Sequence, residues 1–386
     1  MQSILILATQ FKPNVGGIQT YLDDFTKFLA KNNYSFKVLT FKPKYISRLF
    51  KTKAASYKHK DHPKVDVTRI DFFDFWITNL FPIRTIIEFF LICNLLLYSI
   101  WFMLFNSRKY HIIHANDYVT ATVALVLAKL FNKKWIMSHH SIFPYFKKSL
   151  RRIIGGTLLK QADFIFANSE IVKKQLEIGL GKNRPKIIVV HYWLDYNFFR
   201  PKSKANARKN LGLPADKFIV MFLGRLEIAK GVGEFIKASE MVGDDTCFVI
   251  AGPGEEYDLV KSNTSKRLIY LGVKEGEDLI DCYNAADVCC FPTVAIEAFG
   301  RVTIEALSCG TPVIVSTTGT REIIDGSVGI RTKPTANDIV KSLSTFRKKF
   351  GRRDMTNICR QYAIRHYNEN NASLIIKEYE RLLKVK

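Results

Sequence analysis

Acidic residues are scarce in the first half of this chain. Residues 1–200 hold 12 Asp/Glu against 30 Lys/Arg, a net +18 out of +23, whereas residues 201–386 hold 23 against 28. A field this lopsided points to an anionic partner: nucleic acid, an anionic membrane surface or an anionic substrate. No RNA- or DNA-binding motif accompanies the charge, so nucleic acid is not expected. The seven cysteines form no C-x-x-C and sit mostly in apolar runs, which excludes a disulfide framework and a zinc module. They are expected as reduced core thiols in a reducing compartment. Ser3–Ala8 lacks a basic leader, so no secretory signal is expected there. A content of 47% hydrophobic and 24% charged residues excludes a disordered chain, and 386 residues are more than one core usually holds.

What is present is alternation. Ser3–Ala8 (SILILA) reads as a buried parallel strand. Gly16–Gly17 follows, then a helix with Ile18, Leu22, Phe25 and Leu29 at helical spacing. This is a strand–turn–helix unit of Rossmann type without the G-x-G-x-x-G fingerprint. The glycine pair either makes a tight turn or lets a phosphate or sugar approach the backbone. Phe36–Phe41, Val65–Ile70, Tyr110–His114, Trp135–His140, Ala162–Glu170 and Lys186–Val190 continue as strands with their turns. His139 and His140 end a strand, at the sheet edge where ligands bind.

Two stretches break the pattern. Lys42–Lys64 is a basic run with interleaved aromatic and aliphatic residues, and Lys147–Arg152 (KKSLRR) opens a basic helix. Phe72–Phe81 is rich in aromatics, and Ile86–Phe105 then carries Glu88 as its sole charge. By length alone Ile86–Phe105 reaches across a bilayer. The strands on either side belong to one sheet, so it is expected as a crossover helix, with dipping into a membrane interface as a further possibility. Tyr196–Ala205 reads as a polar linker.

The second half repeats the alternation at Phe218–Leu223, Cys247–Gly252, Leu268–Val273, Val288–Pro292, Pro312–Ser316 and Val328–Thr332, and Asp354–Lys386 is helical. After Phe218–Leu223 come Gly224 and Arg225, then Lys230 and Gly231. A guanidinium fork and an ammonium around one strand-to-helix turn make a diphosphate grip. Glu297–Val313 (EAFGRVTIEALSCGTPV) holds two carboxylates, Glu297 and Glu305, around Gly300. A short helix from about Val302, stopped by Gly310 and Pro312, would offer its positive amino end to an anion.

This segment resembles the E-x7-E signature of the family 4 glycosyltransferases of the GT-B fold, down to FG after the first glutamate. GR followed by KG resembles the family's G-R-x-x-x-x-K-G, HAND its H-A-x-D turn, WIMSHH its T-x-H pattern and ADFIFANSE its AD-x-I-x-A-x-S. The chain departs at HYWLD, residues 191–195, where many relatives carry N-G-V-D. The resemblance implies an α/β GT-B protein of two doubly wound domains facing across a cleft, at 1–197 and 203–369, with a helix about 370–386 packing back on the first. It implies a retaining transfer from a nucleotide-diphosphate sugar, UDP- or GDP-linked, with no cofactor and no metal. Arg225 and Lys230 would stabilise the leaving phosphate, Glu297 the sugar hydroxyls, Glu305 the ribose, and His140 the sugar from the first domain. Gly16, Gly17, Gly224, Val273, Lys274, Phe299, Gly300, Arg301 and Val302 would complete the donor site. The basic first half is expected to meet a lipid or glycan acceptor on an anionic membrane surface, at the cytoplasmic face. A soluble acceptor, a sugar-nucleotide epimerase and a non-catalytic sugar- or anion-binding protein are the rival readings.

Overall fold

The computed structural model describes residues 3–14, 16–42, 63–71, 84–142, 150–319, 321–351 and 353–384, with the side chains at 84, 85, 150–152 and 321 left aside. Most of the basic run, the aromatic stretch at 72–81 and Lys147–Lys148 lie outside these residues. The chain divides into two compact units, Met1–Trp193 with Glu369–Lys386, and Leu194–Asn368.

The first unit runs β1 (Ser3–Leu7), α1 (Gly17–Lys31), β2 (Ser35–Phe41), β3 (Val67–Ile70), α2 (Arg84–Asn106), β4 (Tyr110–Ala115), α3 (Tyr118–Phe131), β5 (Lys134–His139), α4 (Leu150–Leu159), β6 (Phe164–Ala167), α5 (Glu170–Leu180) and β7 (Lys186–Val189). Its strands lie in the order β3-β2-β1-β4-β5-β6-β7, and each neighbouring pair is parallel. All five residues of β1 are buried, as a central strand covered on both faces requires. Leu22, Phe25 and Leu29 of α1 are fully buried.

Helix α2 has two apolar faces. Leu91, Leu95, Ser99 and Met103 recur every four residues and are buried. Phe89, Leu97, Trp101, Leu104 and Phe105 are more than half exposed. The span Ile86–Asn106 has a mean hydropathy of 2.0 yet is only 22% buried. Because β3 before it and β4 after it lie in one sheet, it is a crossover helix of that sheet.

The second unit runs α6 (Lys204–Leu211), β8 (Phe218–Leu223), α7 (Val232–Glu240), β9 (Thr246–Ala251), α8 (Tyr257–Ser262), β10 (Leu268–Tyr270), α9 (Gly276–Ala285), β11 (Val288–Phe291), α10 (Arg301–Ser308), β12 (Val313–Ser316), β13 (Gly329–Thr332), α11 (Ala336–Phe350) and α12 (Thr356–His366). The strand order is β10-β9-β8-β11-β12-β13, again parallel. In the expected strand-and-turn Leu268–Val273 the strand ends at Tyr270, and Gly272 at φ +77 makes the turn. The expected linker gives way to α6, whose cap is Ser203 accepting from the Asn206 amide at 3.4 Å. The helical end is two helices, α12 and α13 (Asn370–Lys384), and α13 belongs to the first unit. Its Ala372, Ile375, Ile376 and Tyr379 are buried there.

Candidate active site

A doubly wound sheet opens a crevice where the connections change side, at the carboxyl ends of two adjacent strands. In the second unit that point lies between β8 and β11. The loop after β8 carries Gly224, Arg225 and Lys230, and the loop after β11 carries Thr293 and Glu297. They meet: Lys230 donates to Glu297 in an ion pair, and Thr293 donates from Oγ1 to the other carboxylate oxygen at 3.2 Å. Both charged side chains keep some exposure, 27% for Lys230 and 19% for Glu297. Arg225 is more open, at 65%, and pairs with Glu227.

The backbone builds this corner. Gly231 sits at φ +79, and a Cβ there would lie 2.0 Å from the Pro292 carbonyl oxygen at the end of β11. Only glycine lets the two loops approach so closely. Gly300 caps α10 at φ +87, and its absent Cβ would lie 3.4 Å from Glu297 Oε2. The Glu297 carboxylate therefore lies at the positive end of α10, beside the Lys230 ammonium. Thr318, at the end of β12, closes the far side by donating to the Thr293 carbonyl.

The second carboxylate of the segment has other partners. Glu305 is buried one turn into α10, where it accepts from Arg301 Nε at 3.0 Å and from the Tyr283 hydroxyl at 2.7 Å. Burial, and then the Glu305 carboxylate, push the Tyr283 hydroxyl well above its ordinary value, so it stays a donor. Glu297 and Glu305 thus separate into an accessible carboxylate and a buried one. Arg301 pairs with Glu305, and Phe299 is buried with its ring 5.8 Å from that of Tyr367. Val302 is half-buried in the first turn of α10. Val273 and Lys274 follow the edge strand β10, two strands away from β8. Val273 is exposed, and Lys274 lies 3.7 Å from Asp278.

In the first unit the connections change side between β1 and β4. The loop after β1 leads to Gly16 and Gly17 at the start of α1. A Cβ at Gly16 would collide with the Gln19 side chain, whereas one at Gly17 would meet nothing within 4 Å. The HAND turn ends in Asp117, which caps α3 through the Thr120 amide (2.9 Å). It also ties the β1 loop to β4 by accepting from Thr9 N and Oγ1, at 3.1 and 2.9 Å.

His140 follows β5 and is half-buried among groups brought from three other strand ends and α1. Its Nδ1 lies 3.0 Å from the Tyr192 hydroxyl, and its Nε2 lies 3.5 Å from Asn116 Oδ1. The Tyr21 ring stands 4.6 Å away, tilted by 55°. Asn168 donates from Nδ2 to the His140 carbonyl and to the Tyr192 hydroxyl, each at 3.2 Å. His139 turns into the core instead, where its Nε2 meets the Tyr118 hydroxyl at 2.8 Å. His114 lies between the hydroxyls of Tyr379 and Ser138. Burial lowers His139 to about 4 and His114 to about 3. Burial, then His139 and His114, hold His140 well below the ordinary imidazole value, so the ring is neutral near pH 7.

The sequence reading missed Asn116, Asn168, Tyr192, Thr293 and Thr318. Their signal was position, since each lies within three residues of the carboxyl end of a strand. Among the described residues no three His, Cys, Asp or Glu side chains come together as a metal site.

Solved structures share the architecture. Sucrose-phosphate synthase from Thermosynechococcus elongatus superposes with a TM-score of 0.81 at 21% identity, covering 100% of both chains. The Anabaena HepE protein, solved in complex with UDP-glucose, gives 0.76 at 19% identity over 99% of this chain and 100% of its own. The fold is therefore GT-B. The model of Glycosyltransferase Family 4 matches residues 15–198, and that of Glycosyl transferases group 1 matches residues 203–365. The chain belongs to this glycosyltransferase family. Among curated relatives, the D-inositol 3-phosphate glycosyltransferase of Mycolicibacterium smegmatis is 31% identical over 180 residues. That is 44% of this chain, and it spans only 41% of the relative's length.

Proposed function

We propose that this protein moves a hexosyl group from a nucleotide-diphosphate sugar, UDP- or GDP-linked, to a membrane-lipid or lipid-linked glycan acceptor. Transfer proceeds with retention and without a metal ion, at the cytoplasmic face of the cell membrane, in assembly of envelope polysaccharide. The observation that carries the reading is the Lys230–Glu297 pair at the β8/β11 switch point, with Arg225 on the same loop and the start of α10 beside it. As the glycosidic bond breaks, charge builds on the β-phosphate. Arg225, Lys230 and the α10 dipole stabilise that charge in place of a metal. When the diphosphate takes Lys230, Glu297 is released to accept from sugar hydroxyls. Glu305 has both its oxygens engaged within α10 and α9, which leaves Glu297 as the carboxylate for the sugar.

The membrane part rests on α2 and on charge. Phe89, Leu97, Trp101 and Phe105 form an outward stripe about 24 Å long at 1.5 Å per residue. Arg108 and Lys109, exposed just past its end, give it a basic rim. Aromatic side chains anchor at a bilayer interface, and each cation near an anionic leaflet adds about 1 kcal/mol. The occupant of this face is an anionic bilayer surface.

Mass spectrometry of incubations with UDP-, GDP- and ADP-sugars tests the donor, beginning with UDP-glucose, the ligand of the Anabaena structure. Arg225→Ala and Lys230→Ala are each expected to lower turnover by about 2–4 kcal/mol, roughly 30- to 900-fold. Near-native turnover in both variants would overturn the assignment.

A further inference from the structure

The hydrogen-bond chain around His140 fixes more than the place of its ring. Leu7 offers a backbone carbonyl, which only accepts, and Asn116 Nδ2 donates to it at 3.2 Å. The Asn116 amide is thereby oriented, and its Oδ1 is the atom facing His140 Nε2 at 3.5 Å. An acceptor opposite Nε2 calls for a proton on Nε2. Nδ1 then carries the lone pair, and the Tyr192 hydroxyl at 3.0 Å is its donor. The second asparagine is consistent with this direction. The His140 carbonyl orients the Asn168 amide, and Asn168 Nδ2 also donates to the Tyr192 oxygen, which fits a phenolic proton directed at His140. Tyr21, Asn116, Asn168 and Tyr192 are all at least nine-tenths buried, so bulk water does not compete for the hydrogen bonds of the relay. Tyr192 belongs to HYWLD, the segment where the chain departs from N-G-V-D.

We infer that Tyr192 is a positioning residue that locks His140 as its Nε2–H tautomer, so that the first unit presents a neutral hydrogen-bond donor, not a base, to its ligand. The 3.5 Å contact to Asn116 is long, and an oxygen arriving at Nε2 can replace it with a shorter bond. That the arriving oxygen belongs to a sugar rests on the function proposed above, whereas the tautomer does not. A donor at this place favours a hydroxyl or ring oxygen over an ammonium or amide N–H, which sets the chemistry that the site accepts.

Long-range 15N–1H NMR on 15N-histidine-labelled full chain reads the tautomer directly, with the His140 signals assigned by their loss in His140→Gln. The wild type is expected to show a pyrrole-type Nε2 and a pyridine-type Nδ1. Tyr192→Phe keeps the ring against Tyr21 and removes only the hydroxyl. It is expected to give mixed tautomers, with kcat lowered about 3- to 10-fold for one lost hydrogen bond and KM for the donor within about twofold. A protonated Nδ1 in the wild type, or an unmoved tautomer in Tyr192→Phe, overturns the inference. The predicted tautomer together with undiminished turnover in His140→Gln overturns the sugar reading alone and leaves the inference standing.

Discussion

Replacing Glu305 by alanine should unfold the second unit at a much lower temperature while leaving the accessible half of the site in place. The side chains of Arg301 and Glu305 are only 8% and 10% exposed, and the pair is closed from the other side by Tyr283. Removing one partner of a buried ion pair costs about 3–5 kcal/mol, because the remaining charge loses that partner's attraction while staying out of water. Taking about 4 kcal/mol, and about 2–4 °C per kcal/mol for a domain of this size, the expected fall in Tm is roughly 8–16 °C. Glu297→Gln makes the comparison. Its Lys230 partner is more exposed, so the loss should stay near 1 kcal/mol, under about 4 °C, although turnover falls. Calorimetry on the full chain measures both. The charge argument has its own control, since the double change Arg301→Met with Glu305→Leu removes both ions and should recover most of the lost stability. A Tm for Glu305→Ala within a degree of wild type would refute the reasoning. So would a double variant no more stable than the single one.

Three further outcomes are expected. Turnover should survive EDTA, measured on the donor identified in the mass-spectrometric screen; complete loss restored by magnesium or manganese would show that the protein cations do not suffice. The full chain should float with anionic vesicles at low salt, less so as salt rises, and less so in Trp101→Ala/Phe105→Ala; no binding at low salt would remove the membrane reading. His114 and His139 are neutral in the fold at values near 3 and 4, against about 6.5 when unfolded, so the unfolded chain binds protons first as pH falls. Their stabilisation is present above pH 6.5 and is lost from 6.5 down to about 4 for His139 and about 3 for His114, at roughly 1.4 kcal/mol per pH unit for each ring. Urea midpoints should therefore fall steeply from pH 7 to pH 5, and His114→Gln should flatten that slope.

Much of this was legible in the chain because parallel strands buried on both faces read as unbroken apolar runs. SILILA, YHIIH and FIVMFL declared themselves, and the glycines after β8 and before α10 marked turns that only glycine makes. Helices α6 and α11 were less visible, since LysAlaAsnAlaArgLysAsnLeu and its longer counterpart at 336–350 show a solvated face to most of their surroundings. The division between Glu297 and Glu305 was not legible at all. Burial of Glu305 depends on Tyr283, 22 residues earlier, and only the sheet brings the two together. The role of Tyr192 was hidden for the same reason: as a sequence, HYWLD records the absence of an expected asparagine and glycine, and only the fold shows the hydroxyl that His140 meets instead.

Helix α13 gives the fold a consequence for biosynthesis. The first unit is made first, yet its core takes in Ala372, Ile375 and Tyr379 from the last helix described. Until that helix leaves the ribosome, His114 lacks the Tyr379 hydroxyl and an apolar groove on the first unit stays open. The intervening 194–368 segment takes on the order of ten to thirty seconds to translate at about 5–20 residues per second. A nascent chain of this protein therefore carries its first unit incomplete over that interval, and the sheet formed first is closed by the helix made last among those described.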